Sequence, residues 1–197
     1  MKQMIMATAN AHKLKEVRAI TRDLGIEILS LAEAGLGPVE IVEDGDTYEA
    51  NSLKKAREIM RLTGLDAIAD DSGLEVDALG GAPGVNSARF SGEGATDARN
   101  NALLLEKLQG VPEAARTARF VSVVSVAFAD GGELAVRGTV EGVILEVARG
   151  SGGFGYDPLF FCPEAGASFG ELDPALKNRI SHRARALQAL HDALKGR

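Results

Sequence analysis

Two hydrophobic periods alternate along the chain. Gln3 to Ala7 is a short, nearly continuous apolar run of the kind that forms a buried strand. Leu14, Val17, Ile20 or Thr21, and Leu24 then recur at helical spacing, which predicts an amphipathic helix capped by Asn10 and stopped at Gly25. Ile26 to Ser30 reads as a second strand. A helix is expected from about Thr47 to Leu62, opened by a capping box of Asp46 and Glu49 and closed by Gly64. Asp66 to Asp70 reads as a third strand running out into Asp71, Ser72 and Gly73, so the two acids are expected at a strand end, with extended structure resuming from Leu74 to Asp77 before the turn GGAPG.

Thr96 to Gln109 predicts a further helix with Gly110 as its stop. A long β pattern from Thr117 to Ala129, the hairpin turn Asp130, Gly131, Gly132 and strands through Val147 follow. After the loop GSGGFGYDP, a C-terminal helical region begins near Asp173 and Pro174, with Leu176, Ile180, Ala184, Leu187, Leu190 and Leu194 as its apolar stripe. Helices alternate with strands at both ends while a hairpin-rich stretch fills the middle. The expected class is therefore α/β, a mixed sheet flanked by helices, in two lobes with a cleft. At 197 residues the chain suits one large domain or two small lobes sharing a core, and no internal repeat or low-complexity linker interrupts it.

Composition narrows the function. A formal charge of −6 argues against a general nucleic-acid partner, since neutralising a phosphate backbone needs a broad excess of Lys and Arg; a polyanionic ligand would need a local basic site. Cys162 stands alone, so no intramolecular disulfide forms, and its setting in LFFCP reads as a buried strand thiol. The start MKQMIMATAN is too short in apolar residues for a signal peptide, and FVSVVSVAFA is too short to span a bilayer, so no membrane partner and a cytoplasmic location are expected.

The candidate chemistry centres on ADDSG. Adjacent like charges emerging from a buried strand are tolerable mainly where a cation or strong donors compensate them, and magnesium is the natural candidate cation. Asp, Ser and Gly are also turn formers, so DDSG standing alone reads as a turn more readily than as a cation site. Magnesium prefers a few carboxylates plus phosphate oxygens and water, and Glu43, ahead of Asp44 and Asp46, is the first choice for the second acid. Lys13 falls in the first turn of its helix, where the macrodipole disfavours a cation unless an anion sits nearby. Asn51 and Lys55 share a helix face, from which Lys55 could reach the same phosphates or simply solvate.

Gly150 to Gly155 meets the G-x-G-x-x-G spacing, but a dinucleotide fingerprint must open into a helix, and here Tyr156, Asp157 and Pro158 lead into LFF. A closer account lets the glycines bring backbone up to a ligand while Phe154 offers a stacking face; Phe154 as core is the competing view. LKNRISHRARAL concentrates Lys177, Arg179, His182, Arg183 and Arg185 in an acidic protein. On one continuous helix Lys177, His182 and Arg183 would point to different sides, so a common ligand requires a break before Ser181, itself a competent N-cap. No P-loop, Cys/His metal cluster or GxSxG motif occurs.

Taken together, ATANAHKLKE, the Glu43 segment before EANSLKKA, ADDSGLEVDALGGAPGVNSARFSG, GGFGYDPLF and ISHRARAL resemble the inosine triphosphate pyrophosphatase family over nearly the whole chain. The resemblance implies a single 1–197 pyrophosphatase domain, an elongated α/β fold of two lobes with a substrate cleft between them, and a homodimer. It implies magnesium-dependent hydrolysis of ITP, dITP, XTP and dXTP to the nucleoside monophosphate and pyrophosphate. Carried over residue by residue, Thr8, Asn10 and Lys13 are phosphate-loop residues and Lys55 a further phosphate contact. Glu43 and Asp71 are metal ligands, Asp71 also the base that activates water, with Asp70 assisting. Ser72 is a substrate contact, Phe154, Gly155, Tyr156 and Asp157 line the base and sugar pocket, and Lys177, His182 and Arg183 donate to the purine 6-oxo group. Two positions depart from the family's pattern: Ala9 replaces the usual glycine, and Val42 stands where many relatives carry a second acid. Rival readings are a Maf-like pyrophosphatase for other modified nucleotides and a non-catalytic nucleotide-binding module.

Overall fold

The apolar runs of the sequence become strands in the computed structural model, which describes residues 2–196. In chain order the elements are β1 (Lys2–Met6), α1 (Ala11–Asp23), β2 (Ile26–Leu29), α2 (Tyr48–Thr63), β3 (Ala67–Val76), α3 (Asp97–Lys107), β4 (Thr117–Ala127), β5 (Glu133–Ile144), β6 (Phe160–Cys162), β7 (Ala167–Ser168), α4 (Pro174–Ile180) and α5 (His182–Leu194). The strands form one sheet in the order β2-β1-β3-β4-β5-β6-β7. β1 runs parallel to β2 and β3, whereas β6 is antiparallel to β5 and β7, so the sheet is mixed, as the sequence pattern anticipates. Among the described residues no helix is long and apolar enough to cross a membrane.

The chain divides into two compact units, one comprising residues up to Asp71, Ser122–Gly138 and His182 onward, the other Ser72–Val121 and Thr139–Ser181. In the first unit, Met4, Met6 and Ile68 pack with Val17 of α1 and Leu187 and Leu190 of α5 into one core cluster. Ile5, Ala7 and Ala69 meet Ala56 and Ile59 of α2 in another. Alternate residues of the same strands therefore feed two different clusters, the signature of strands buried on both faces. The second unit has its own core, in which Phe120, Phe160 and Phe169 pack ring to ring beside Leu74, Val76, Leu104 and buried Cys162.

Three local expectations meet different outcomes. The acids do not sit at a strand end: β3 runs unbroken from Ala67 to Val76, with Asp70 and Asp71 in its middle. The turn-forming tendency of Asp-Ser-Gly loses because Leu74 and Val76 are fully buried and the Leu74 amide is taken by Ser87 Oγ at 2.8 Å, so extending the strand satisfies both packing and hydrogen bonding. The Asp46–Glu49 capping box is not formed either. Thr47 is the N-cap, its hydroxyl accepting from the Ala50 amide at 3.1 Å, while Glu49 is drawn off to Arg137 at 3.0 Å. The third expectation holds: α4 ends at Ile180, Ser181 is extended at φ −67°, ψ 161°, and α5 restarts at His182.

Candidate functional site

In the first unit, α1, α2, β3 and α5 converge their charged side chains. Thr8 and Asn10 build the turn that opens α1: Thr8 Oγ1 accepts from the Asn10 amide at 3.1 Å, and Asn10 Oδ1 accepts from the amides of His12 and Lys13 at 2.9 and 3.1 Å. This cap sets Lys13 on the first turn, where it meets the anion that its unfavourable dipole position calls for. That anion is Asp70, whose Oδ2 lies 2.8 Å from Lys13 Nζ. Arg183, on the first turn of α5, donates to the same Oδ2 at 3.1 Å, and its other nitrogen reaches Glu16 of α1 at 2.5 Å. Ser122 of β4 donates to Asp70 Oδ1 at 2.5 Å.

Burial alone would push the Asp70 carboxyl upward. The charges of Arg183 and Lys13 and the hydrogen bonds from Lys13 and Ser122 outweigh it and hold Asp70 well below the usual carboxylate range. Asp71 is placed differently. Burial lifts it above the ordinary aspartate value against the pull of Lys55 and Lys13, and the neighbouring charges of Glu43 and Asp70 add to the rise. Asp71 Oδ2 is buried without a hydrogen-bond partner among the described residues. The adjacent acids thus part into a fixed anion and a carboxylate with proton affinity to spare.

Glu43 reaches this group because its loop is clamped to α2. Asn51, 1% exposed, accepts from the Gly45 amide at 2.8 Å and donates to the Gly45 carbonyl at 3.2 Å. A side chain at Gly45 would lie 2.8 Å from both Ala50 Cβ and Asn51 Oδ1, so only glycine allows this approach. One turn along α2, Lys55 Nζ then bridges Glu43 Oε1 at 2.5 Å, the Asp70 carbonyl at 3.0 Å and Asp71 Oδ1 at 3.7 Å. Glu43 and Asp71 accordingly flank one ammonium group. Oxygen donors of this hardness, with one buried carboxylate oxygen unpartnered, suit a magnesium ion. No group of three His, Cys, Asp or Glu side chains gathers among the described residues, so a cation here would complete its shell with substrate oxygens and water. Val42, beside Glu43, is 63% exposed.

The second unit holds the other site residues. Ser72 is half-buried in β3. Asp157 is the hub of the glycine-rich loop: its Oδ2 accepts from the Phe154 amide at 2.8 Å and from Lys177 Nζ at 2.6 Å. Lys177 also sits 4.9 Å from the centre of the half-buried Phe154 ring, a cation–π contact. Tyr156 donates its hydroxyl to the Ser87 carbonyl at 2.8 Å. Most of the loop glycines serve the chain's own packing. A Cβ on Gly150 would lie 2.1 Å from the Gly170 carbonyl oxygen, and one on Gly153 would fall 2.0 Å from Asp157 Oδ2. Only Gly155, left-handed at φ +63°, has open space there.

The structure thus brings Lys13, Glu43, Lys55, Asp70, Asp71 and Arg183 together around β3, with Thr8 and Asn10 shaping the turn before α1 and His182 buried at the start of α5. It gathers Phe154, Tyr156, Asp157 and Lys177 in the other unit. Lys177 and Arg183, expected on a common purine oxygen, rest on different carboxylates, Lys177 on Asp157 and Arg183 on Glu16 and the Asp70 that it shares with Lys13. Sequence reasoning missed Glu16 and Ser122. Glu16 carries no signal in the helical pattern, but Ser122 left a trace: a serine inside the apolar run FVSVVSVAFA needs a buried polar partner.

Comparison with known proteins places the chain among well-matched relatives. The profile of the Ham1 family matches residues 4–193. A dITP/XTP pyrophosphatase from Geobacter sulfurreducens is 50% identical over 194 residues, covering 98% of this chain and 97% of its own. Another from Clostridium perfringens is 49% identical over 203 residues, covering 100% and 98%. The solved structure of a HAM1 protein from Coxiella burnetii matches with a TM-score of 0.87 at 39% identity, over 100% of both chains.

Proposed function

The chain belongs to the Ham1 family, and from that premise we propose that it hydrolyses ITP, dITP, XTP and dXTP to the nucleoside monophosphate and pyrophosphate. The observation that carries the chemistry is the state of Asp71: buried, raised in proton affinity, one oxygen unpartnered, beside an acid that stays ionised. Asp71 orients the attacking water and takes its proton as the water oxygen bonds the α-phosphorus and the α–β anhydride bond breaks, its electron pair leaving with pyrophosphate. Lys13 and Lys55 turn from their carboxylate partners to the phosphate oxygens, guided by the Thr8–Asn10 turn. Asp70 keeps Arg183 in place throughout, and holds Lys13 until the phosphates arrive. Glu43 and Asp71 would hold a magnesium ion, which supplies charge neutralisation of the phosphates when bound.

Base recognition falls to the remaining residues. Ser72 contacts substrate, Phe154 to Asp157 line the base and sugar, and Lys177, His182 and Arg183 donate to the 6-oxo group. Donors at that position accept hypoxanthine or xanthine but meet the adenine amino group donor to donor, leaving buried polar groups unpaired, so ATP is rejected. The protein acts as a homodimer in this reading, and sedimentation velocity should give twice the chain mass.

Pyrophosphate release measured across dITP, XTP, dUTP and methylated nucleotides in magnesium tests the proposal. Fastest turnover is expected for dITP and XTP; none from either would sink it, and preference for a methylated nucleotide or dUTP would favour the Maf-like reading. Asp71→Asn should collapse turnover by about 10²–10⁴-fold, the usual worth of a general base, while nucleotide binding persists.

A further inference from the structure

The loop Phe154–Asp157 is anchored at three of its four residues by groups already described, and the remaining residue, Gly155, is gripped from α3. Asp97 Oδ2 accepts from the Gly155 amide at 2.7 Å, and Asn101 Nδ2 donates to the Gly155 carbonyl at 2.9 Å. The two side chains stand one helical turn apart, so a single helix face takes both polar groups of one peptide residue. Packing does not hold Gly155 in place, because nothing lies within 4 Å of where its side chain would be. These two hydrogen bonds do, and one of them is charge-assisted.

Neither residue is explained by helix stability alone. Thr96 already caps α3, accepting from the Arg99 amide at 3.2 Å, so Asp97 is not needed as the cap. Asn101 Oδ1 is buried without a hydrogen-bond partner among the described residues, a cost that a leucine of similar size would not carry. A side chain kept at such a cost is kept for the bond its other atom makes.

We infer that Asp97 and Asn101 are positioning residues that hold Gly155, between half-buried Phe154 and core-anchored Tyr156, so that Phe154 presents a fixed face to the purine, and that this clamp sets selectivity among purine triphosphates. The inference rests on the Phe154–Asp157 loop lining the base pocket. The clamp touches no phosphate and no reacting atom, so its loss should be felt in substrate affinity and discrimination rather than in the chemical step.

Steady-state kinetics on dITP and dGTP, with thermal melts, for Asp97→Ala, Asp97→Asn and Asn101→Leu test it. Asp97→Ala should raise KM for dITP about tenfold with kcat kept within about twofold, and narrow the dITP to dGTP ratio of kcat/KM. Asp97→Asn should recover most of the loss, since an amide oxygen can still accept from Gly155. Asn101→Leu should raise KM about threefold while its melting temperature stays equal to or above that of the parent. Unchanged KM and ratio in Asp97→Ala, or losses that follow the melting temperature equally for both nucleotides, would overturn the clamp while leaving the proposed activity intact. A parent protein inactive on dITP would overturn the proposed activity and the clamp with it.

Discussion

Asp70 and Asp71 occupy successive positions of one strand and so face opposite sides of it, which is why identical side chains acquire opposite electrostatics. Asp70 faces Arg183, Lys13 and Ser122, and its carboxyl is held well below the usual range in spite of burial. Its contribution to stability is present above the unfolded value of about 3.9 and is lost as pH falls through the lower folded value. Asp70→Asn strips buried Arg183 and half-buried Lys13 of their shared counter-charge and should cost about 3–5 kcal/mol at neutral pH. Urea midpoints measured against pH should show the gap between the parent and this variant constant above about pH 5 and closing below about pH 4; a gap that persists undiminished at low pH would contradict the assignment. For Asp71 the sign reverses. Its folded value is raised by burial, so stability falls as pH rises through that window and the ionised form costs stability at neutral pH. Asp71→Asn should therefore melt no lower than the parent even as turnover collapses, the pattern of a residue strained for function. The pair was legible in ADDSG, and the family resemblance already implied unequal roles for it; the electrostatic cause of the division was not legible, because Glu16, Lys13, Ser122 and Arg183 arrive from segments far away in the chain.

At the scale of elements, hydrophobic period located each helix and most strands, and failed where chemistry competes over a few residues. EDGDTYE offers three side chains able to cap α2, and pattern alone cannot rank them; Thr47 wins because Glu49 has a better partner in Arg137, contributed by β5. The break between α4 and α5 was legible because Lys177, His182 and Arg183 could share a ligand only if the helix stopped. Close approaches of backbone left no trace in the pattern. Gly138 of β5 looks like any strand glycine, yet a Cβ there would lie 2.3 Å from the Ala186 nitrogen and the His182 carbonyl oxygen of α5. Gly138→Ala should push α5 off β5 and cost about 1–3 kcal/mol, whereas Gly37→Ala, with open space at its Cβ, should stay within about 0.5 kcal/mol. Denaturant midpoints of the two variants decide the matter, and equal midpoints would show that α5 yields freely. Because Arg183 rides on the first turn of α5, the Gly138 variant should also lose activity at temperatures where it remains folded.

For the molecule as a whole, charge makes a sharper argument than shape. The chain carries −6, and composition already implied that a polyanion would need a local basic site. The basic residues are present, but four of those expected at the site come with acids. Lys13, Lys55 and Arg183 lie with Glu16, Glu43, Asp70 and Asp71, three cations against four carboxylates, and Lys177 is matched by Asp157. That pairing is made through space by residues up to 167 positions apart, so no window of sequence displays it. Neither the overall field nor the local one then attracts a triphosphate, and a divalent cation on Glu43 and Asp71 is what would reverse the sign. Overall repulsion is screened beyond about 8–10 Å at physiological salt, whereas the close pairs are not, so chelation should matter far more than ionic strength. Calorimetric titration with a non-hydrolysable dITP analogue should show Kd weakening about tenfold or more when magnesium is replaced by a chelator. The same titration across a fourfold range of sodium chloride should move Kd much less. Equal affinity with and without magnesium would mean that Lys13 and Lys55 abandon their carboxylates for phosphate unaided, and that the metal serves only the chemical step.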